Sequence, residues 1–140
     1  MALIGRLHPL LVHFPIGLVL VAAVAEVAAM TTGLWHWRAV AVANVRVGAV
    51  FGIGAAIAGW LLASSPGLAA MSSLEWHRWL GTIAAVAVFG AALTTAGARG
   101  GRSPLALWVY RITLFWAAVL VAVTGHLGGL LVWGADFLRP

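Results

Sequence analysis

The sequence contains no cysteine and no lysine, and it has only three acidic residues in 140. Without cysteine, the chain forms no disulfide, offers no thiolate to a metal and attaches no haem covalently. Charged residues make up 8% of the chain, whereas soluble domains carry about 25%. This shortage excludes a soluble enzyme and a disordered chain. The eight arginines are dispersed, so nucleic acid is not a predicted partner.

Apolar residues are abundant instead and make up 64% of the chain. A helix needs about 20 such residues to cross a bilayer core that is about 30 Å thick. Four stretches are long enough, at residues 9–31, 39–63, 79–96 and 105–132. Because the connections between them are short, successive helices are expected to run antiparallel and to pack as neighbours. We therefore predict an all-α fold, a single domain over residues 1–140 that forms an integral membrane up-down four-helix bundle.

The arginines near the helix ends predict the orientation of this bundle, since cytoplasmic loops are enriched in positive charge. One end, formed by the connections after the first and third spans, carries Arg38, Arg99, Arg102 and Arg111. The other end carries Arg6, Arg78 and Arg139, together with the acidic residues Glu75 and Asp136. We therefore predict a multi-pass protein of the bacterial inner membrane with both termini in the periplasm. Tryptophans at both ends are typical of the aromatic belts at membrane interfaces.

Two charged residues lie deep inside the predicted spans, Glu26 in the first and Arg46 in the second, whereas Arg111 lies just inside the fourth. Charges in a bilayer are energetically unfavourable, and they are usually paired or functional. Glu26 lies about 8 Å and Arg46 about 12 Å from the same membrane face, at a rise of about 1.5 Å per residue. We therefore predict a structural ion pair between Glu26 and Arg46, with a proton relay as the alternative.

Four of the five histidines are predicted to lie at one level of the membrane, near its outer face. Antiparallel threading of the spans brings to this level His8, His13, His77 and His126. Glycines follow three of these histidines at about one helical turn and would leave a slot beside each imidazole: Gly17, Gly81 and Gly129. A flat macrocycle requires such a slot, and two imidazoles from facing helices are a common way to hold a b-type haem in a bundle.

Other interpretations of this histidine cluster remain open. One alternative is that the imidazoles are structural groups that bond to water or to backbone carbonyls near the headgroups. Another is a quinone site, a proton site or a transition-metal site, with His13, His77, His126 and His8 as ligands. No combination of a nucleophile, an acid and an oxyanion-binding group is apparent, so we do not predict a stand-alone catalyst.

Two prolines predict an irregular start to the first span. Pro9 fits the first position of a helix and biases His8 away from helical angles. Pro15 has no backbone N–H, so one helical hydrogen bond is lost within the next two turns. Irregular backbone at membrane depth is tolerated where it is buried in protein. We therefore expect a broken helix whose histidines face the bundle.

The segments around the histidines carry a family resemblance. They read LHPLLVHFPI at 7–16, WHRWLG at 76–81 and GHLGGLLVWG at 125–134. Together they resemble the small bacterial membrane proteins grouped as domain of unknown function 2231, and the likeness covers nearly the whole chain. The resemblance implies a four-helix membrane protein with His8, His13, His77 and His126 as signature positions. Some relatives are joined to cytochrome c-like domains, so the resemblance also favours electron transfer.

Our primary hypothesis is a membrane electron-transfer protein or subunit that binds haem b near the outer face. His13, His77 and His126 are its main candidate ligands, and His8 is a fourth ligand or a supporting donor. Its expected partners are membrane lipid and, as redox partner, periplasmic cytochrome c or quinone. The alternative hypothesis is a cofactor-free accessory subunit that packs against a larger respiratory or photosynthetic complex. In that case, the histidines hold the broken first helix to the third and fourth spans.

Overall fold

The structure, a computed structural model, describes residues 2–65, 72–99 and 103–134, and within these ranges it is helical without strands. Six helices follow one another along the chain: α1 (Ala2–Arg6), α2 (His8–Leu11), α3 (His13–Thr32), α4 (Trp35–Ala63), α5 (Ser72–Arg99) and α6 (Pro104–Trp133). Four segments are long and apolar enough to cross a membrane, at His8–Thr32, Trp35–Ala63, Leu74–Gly97 and Pro104–Trp133. The predicted all-α bundle with four spans is therefore confirmed.

The helices extend beyond the predicted spans. Helix α5 begins at Ser72, seven residues before the predicted start at Trp79, and α4 begins at Trp35 rather than at residue 39. The apolar run marks the hydrocarbon layer, whereas a helix continues into the interface as long as its residues allow it. Hydropathy thus identified the spans but underestimated the helix lengths.

The four long helices form a closed ring. Helix α3 packs against α4 and α6, and α5 packs against α4 and α6. The connection between α3 and α4 is only two residues long, and it turns through Gly33, which has a left-handed backbone with a φ of 70°. At α6, Ser103 caps the helix by accepting a hydrogen bond from the Ala106 backbone N–H, and Pro104 follows at the first position. The turn at Gly33 and the cap at Ser103 mark helix ends, and the four long helices follow the predicted up-down order.

Small residues fill the middle of the ring. The core consists mainly of alanine and valine, with one leucine and one tyrosine among its buried members. Because lipid tails are as apolar as the side chains, the hydrophobic effect does not hold membrane helices together. Small side chains let the helix backbones approach closely, and this close packing drives their association. Large apolar side chains point outward instead, such as Val24, Val50 and Val86. This inside-out pattern is the one expected for a protein surrounded by lipid.

The first span is broken as predicted. Regular helix is interrupted at Leu7 and at Val12, which separates α1, α2 and α3. Pro9 lies in the first turn of α2, and the second interruption precedes Pro15, which lacks the N–H that would bond to Leu11. Both short helices pack against α4.

The two ends of the bundle carry its polar groups. We call the end that contains His8 and His77 the histidine end, and the end that contains Arg38 and Arg111 the arginine end. The side chains of Arg99, Arg102, Arg139 and Asp136, on which the predicted orientation partly depends, lie outside the described residues. The side of the membrane that each end faces therefore stays a prediction.

Candidate functional site

The imidazole of His8 is fixed against α4. Its Nδ1 atom lies 2.8 Å from the carbonyl oxygen of Ala55 and donates a hydrogen bond to it. Because a carbonyl oxygen only accepts, Nδ1 carries the proton of this bond. The ring occupies space that a side chain at Gly59 would fill, because a Cβ there would lie 2.9 Å from His8 Cε1. Glycine at position 59 therefore allows this ring placement.

The imidazole of His77 also fits against a glycine, in this case on α6. A Cβ at Gly128 of α6 would lie 2.9 Å from His77 Cε1. The Nδ1 atom of His77 is buried and has no hydrogen-bond partner among the described residues, and neither has the buried hydroxyl of Thr124. Two unsatisfied polar atoms in a buried position are energetically unfavourable and mark a place where a partner is missing.

The two imidazoles face each other across the histidine end. Their ring centres are 6.3 Å apart and their planes are inclined by 78°. His8 lies on α2 and packs against Gly59 of α4, whereas His77 lies on α5 and packs against Gly128 of α6. We call His8 and His77 the imidazole pair.

The other two predicted ligands are not part of this pair. His13 is exposed, and its Nδ1 atom lies 2.6 Å from the carbonyl oxygen of Pro9 in the preceding turn. His126 is exposed on α6. Within residues 2–65, 72–99 and 103–134, no group of three or more His, Asp or Glu side chains could hold a metal ion. The structure thus brings together two of the four predicted histidines, and it does not assemble the predicted metal set of His13, His77, His126 and His8.

Two tryptophans pack against each other at the histidine end, where Trp60 follows Gly59 and Trp79 follows His77 by two residues. Trp60 and Trp79 meet edge to face at 5.3 Å, and the guanidinium of Arg78 lies 4.3 Å above the Trp60 ring. The indole N–H of Trp60 donates to the Thr82 hydroxyl at 2.9 Å. The contact between Trp60 and Trp79 places these two tryptophans at one level, as an aromatic belt requires.

A second polar cluster lies at the arginine end. Glu26 is completely buried and accepts hydrogen bonds from two arginines. Arg38 donates from Nε to both carboxylate oxygens at 3.3 Å and from Nη2 to Oε1 at 3.1 Å. Arg111 donates from Nε to Oε1 at 2.9 Å, and its guanidinium also lies 5.3 Å from the Trp108 ring. Three helices, α3, α4 and α6, are joined by these contacts.

The predicted ion pair between Glu26 and Arg46 is therefore wrong. Arg46 donates instead from Nε to the buried hydroxyl of Thr95 on α5, at 2.8 Å. Arg46 lies two turns beyond Arg38 on α4, and it turns toward α5, whereas Glu26 faces α6 and the first turn of α4. The carboxylate is satisfied by Arg38 and Arg111, which the sequence analysis assigned only to orientation.

Comparison with known proteins identifies the family. The sequence model described as "Predicted membrane protein (DUF2231)" matches residues 6–137. The chain belongs to the DUF2231 family. The match spans most of the chain and confirms the resemblance inferred from the histidine segments. No curated protein and no solved structure matches the DUF2231 protein significantly.

The glycines that matter in the DUF2231 protein differ from the predicted ones. A Cβ at Gly17 or Gly129 would meet nothing within 4 Å, and a Cβ at Gly81 would only touch Thr124 at 3.6 Å. The glycines that accommodate the imidazoles are Gly59 and Gly128 instead. They are distant in sequence from the histidines they serve, so spacing along one helix could not identify them.

Tyr110 of the DUF2231 protein offers a test of the arginine end. Its side chain is completely buried, and its hydroxyl has no hydrogen-bond partner among the described residues. An unsatisfied buried hydroxyl typically costs about 1–3 kcal/mol. We therefore expect Tyr110→Phe to leave the free energy of unfolding unchanged or to raise it, as measured by thermal unfolding in detergent. A loss above about 1 kcal/mol would mean that the hydroxyl holds a water or another partner.

Proposed function

We propose that this protein is a membrane electron-transfer protein in which the imidazole pair holds a b-type haem. His8 and His77 would hold its iron through their imidazole nitrogens. The proposal makes the histidine end the redox site, and it places that end at the periplasmic face of a bacterial inner membrane. Its expected redox partner is a periplasmic cytochrome c or a membrane quinone.

The separation of the two rings is the observation that carries this proposal. An imidazole nitrogen lies about 2 Å from a metal that it ligates. Two imidazoles on opposite sides of one metal therefore have their ring centres about 6 Å apart, when the ring radius is added on each side. The ring centres of His8 and His77 are 6.3 Å apart. Rings inclined at 78° are compatible with this arrangement, because each axial imidazole rotates independently about its bond to the metal.

The hydrogen bond of His8 supports the same role. Histidines that ligate a metal usually donate their other ring N–H to a carboxylate or a backbone carbonyl, which fixes the ring orientation. The bond from His8 Nδ1 to the Ala55 carbonyl has this form and fixes the ring against α4.

The chain contributes position and environment. A bound haem supplies a one-electron iron couple, and the protein tunes it through ligand identity, hydrogen bonding and burial. Gly59 and Gly128 set how closely each imidazole packs against the neighbouring helix, and the Ala55 carbonyl fixes the orientation of the His8 ring.

Absorption spectra of four single variants test the proposal. The purified full-length protein, expressed with ample haem, is expected to show a Soret band and a reducible alpha band. His8→Ala and His77→Ala should each remove them. His13→Ala and His126→Ala are the matched controls and should keep them, because both side chains are exposed and lie outside the pair. Loss of the bands in the control variants, with the bands kept in His8→Ala, would overturn the assignment of the ligands.

A cofactor-free accessory subunit is the second candidate function. It is favoured by the observation that His8 already bonds to Ala55 and fits against Gly59, which ties the broken first span to α4. Under this proposal, the purified protein shows no haem bands and contains no iron, copper or zinc by elemental analysis. His8→Ala should then still lower the unfolding temperature.

A further inference from the structure

Helices α5 and α6 interlock through two glycines next to the imidazole pair. His77 of α5 packs against Gly128 of α6, where an added Cβ would lie 2.9 Å from the Cε1 atom of His77. Thr124 of α6 packs in turn against Gly81 of α5, where an added Cβ would lie 3.6 Å from the Cγ2 atom of Thr124. Residues four apart lie on the same face of a helix, so His77 and Thr124 are diagonal neighbours across this contact.

The hydroxyl of Thr124 differs from the other threonine hydroxyls of the protein. Every other threonine donates its hydroxyl hydrogen to a backbone carbonyl three or four residues earlier: Thr31, Thr32, Thr82, Thr94, Thr95 and Thr113. This is the usual bond of a threonine within a helix. The Thr124 hydroxyl is buried but has neither this bond nor another partner among the described residues. It is therefore available to a group from outside its own helix.

The Nδ1 atom of His77 is the matching unsatisfied group. It is buried and has no hydrogen-bond partner within the described part of the chain, although the imidazole lies close to the backbone of Thr124. An imidazole N–H donates a hydrogen bond, and a hydroxyl both donates and accepts. One small group between the two side chains can therefore satisfy both atoms. A water molecule has this chemistry, since buried waters bond to about two to four polar groups that otherwise lack partners.

We propose that Thr124 positions the imidazole of His77 through one buried water molecule. The water accepts a hydrogen bond from the Nδ1–H of His77 and donates one to the Thr124 hydroxyl. This arrangement does for His77 what the Ala55 carbonyl does for His8, because it fixes the ring and keeps the proton on Nδ1. The water site itself does not require haem. Its effect on a bound iron rests on the proposed function, since the second ring N–H of a ligating histidine orients the ligand.

Nitrogen–proton NMR spectra of the isotope-labelled full-length protein in detergent test this proposal. Any bound haem is kept reduced, and the ring signals of His77 are assigned through its backbone resonances. We expect a proton on Nδ1 of His77 that exchanges slowly with solvent and shows a cross-peak to a bound water. A ring that is protonated on Nε2 and not on Nδ1, or an Nδ1 proton without a water contact, would overturn the proposal.

Three variants separate the water bridge from packing. Thr124→Val keeps the shape but removes the hydroxyl, so exchange of the His77 Nδ1 proton should become about fivefold faster, which is the factor for one net hydrogen bond. Thr124→Ser retains the hydroxyl and should restore slow exchange. Thr31→Val is the matched control and should have no effect, because the Thr31 hydroxyl bonds only within its own helix. An unchanged exchange rate in Thr124→Val would exclude Thr124 as a positioning residue.

The direction of the change in unfolding temperature gives a second measurement. A buried hydroxyl without a partner is unfavourable, so removing it in Thr124→Val would raise the unfolding temperature or leave it unchanged. With the water bridge, we expect Thr124→Val to lower the unfolding temperature and Thr124→Ser to restore it. If Thr124→Val does not fold, the spectrum of the unmodified protein still decides the question. Absence of haem bands together with a protected Nδ1 proton would contradict the proposed function and leave the water site intact.

Discussion

Replacing Glu26 by glutamine is expected to destabilise the bundle by about 3–5 kcal/mol, which is the usual effect of removing one partner from a buried ion pair. The carboxylate is completely buried and accepts four hydrogen bonds from Arg38 and Arg111. A glutamine side chain keeps the size but removes the negative charge. Two arginines would then lie in the membrane-spanning segments without a counter-charge, and the contacts that join α3, α4 and α6 would weaken together.

Thermal unfolding in detergent measures this effect, and Arg46→Gln is the control. Arg46 bonds to a neutral hydroxyl on Thr95, so its replacement leaves no unpaired carboxylate behind and should be the milder change. Combining Glu26→Gln with Arg111→Gln should recover part of the loss, since one unpaired cation is removed. If Arg46→Gln were as damaging as Glu26→Gln, and the two effects were not additive, Glu26 and Arg46 would be partners after all.

Two neighbouring glycines on α6 are expected to respond in opposite directions to alanine. In Gly128→Ala, the new Cβ would lie 2.9 Å from His77 Cε1, so the imidazole has to move away from its position opposite His8. Overpacking of this kind typically costs about 1–3 kcal/mol. In Gly129→Ala, the new Cβ meets nothing within 4 Å. The helix then gains up to about 1 kcal/mol, because alanine is the better helix former.

Unfolding temperatures of the two variants decide this prediction, and the haem spectrum gives an independent measurement. Gly128→Ala should lower the unfolding temperature and, if the imidazole pair holds haem, shift or weaken the Soret band. Gly129→Ala should raise the unfolding temperature and leave the spectrum unchanged. The same response from both positions would show that the imidazole of His77 is not packed against Gly128.

The fold was predictable because length and hydropathy alone select it. Four apolar runs of sufficient length, joined by short connections, permit few arrangements other than an up-down bundle. The breaks in the first span were also predictable, because Pro15 removes a hydrogen bond whatever surrounds it. The start of α5 at Ser72 was missed, since hydropathy does not report where a helix continues into the polar interface.

The contacts at the arginine end were not predictable from depth alone. Depth along a helix places Glu26 and Arg46 at similar levels, but it gives no information on which neighbour each side chain faces. Arg38 lies nearer the membrane face, and its long side chain reaches inward to the carboxylate. Arg111 was expected just inside the fourth span and was used only for the orientation, although it lies in the second turn of α6 and also reaches Glu26.

Only part of the histidine arrangement was predictable, again because depth along a helix does not tell which way a side chain faces. Antiparallel threading correctly brought His8 and His77 to one end of the bundle. His13 follows His8 by five residues, however, and residues five apart on a helix with about 3.6 residues per turn face different directions. His13 therefore turns outward although it lies close to His8 along the axis. Helical rotation was the information that the sequence analysis did not use.

The alanine and valine packing between the two polar ends has an electrical consequence. Residues 16–25, 47–58, 81–92 and 112–123 contain no titratable side chain, and each of these segments rises about 15–18 Å. This layer acts as a dielectric barrier without a proton wire. If the imidazole pair holds the proposed haem, charge taken up there is therefore expected to return at the same membrane face, and the reaction should be insensitive to the transmembrane voltage.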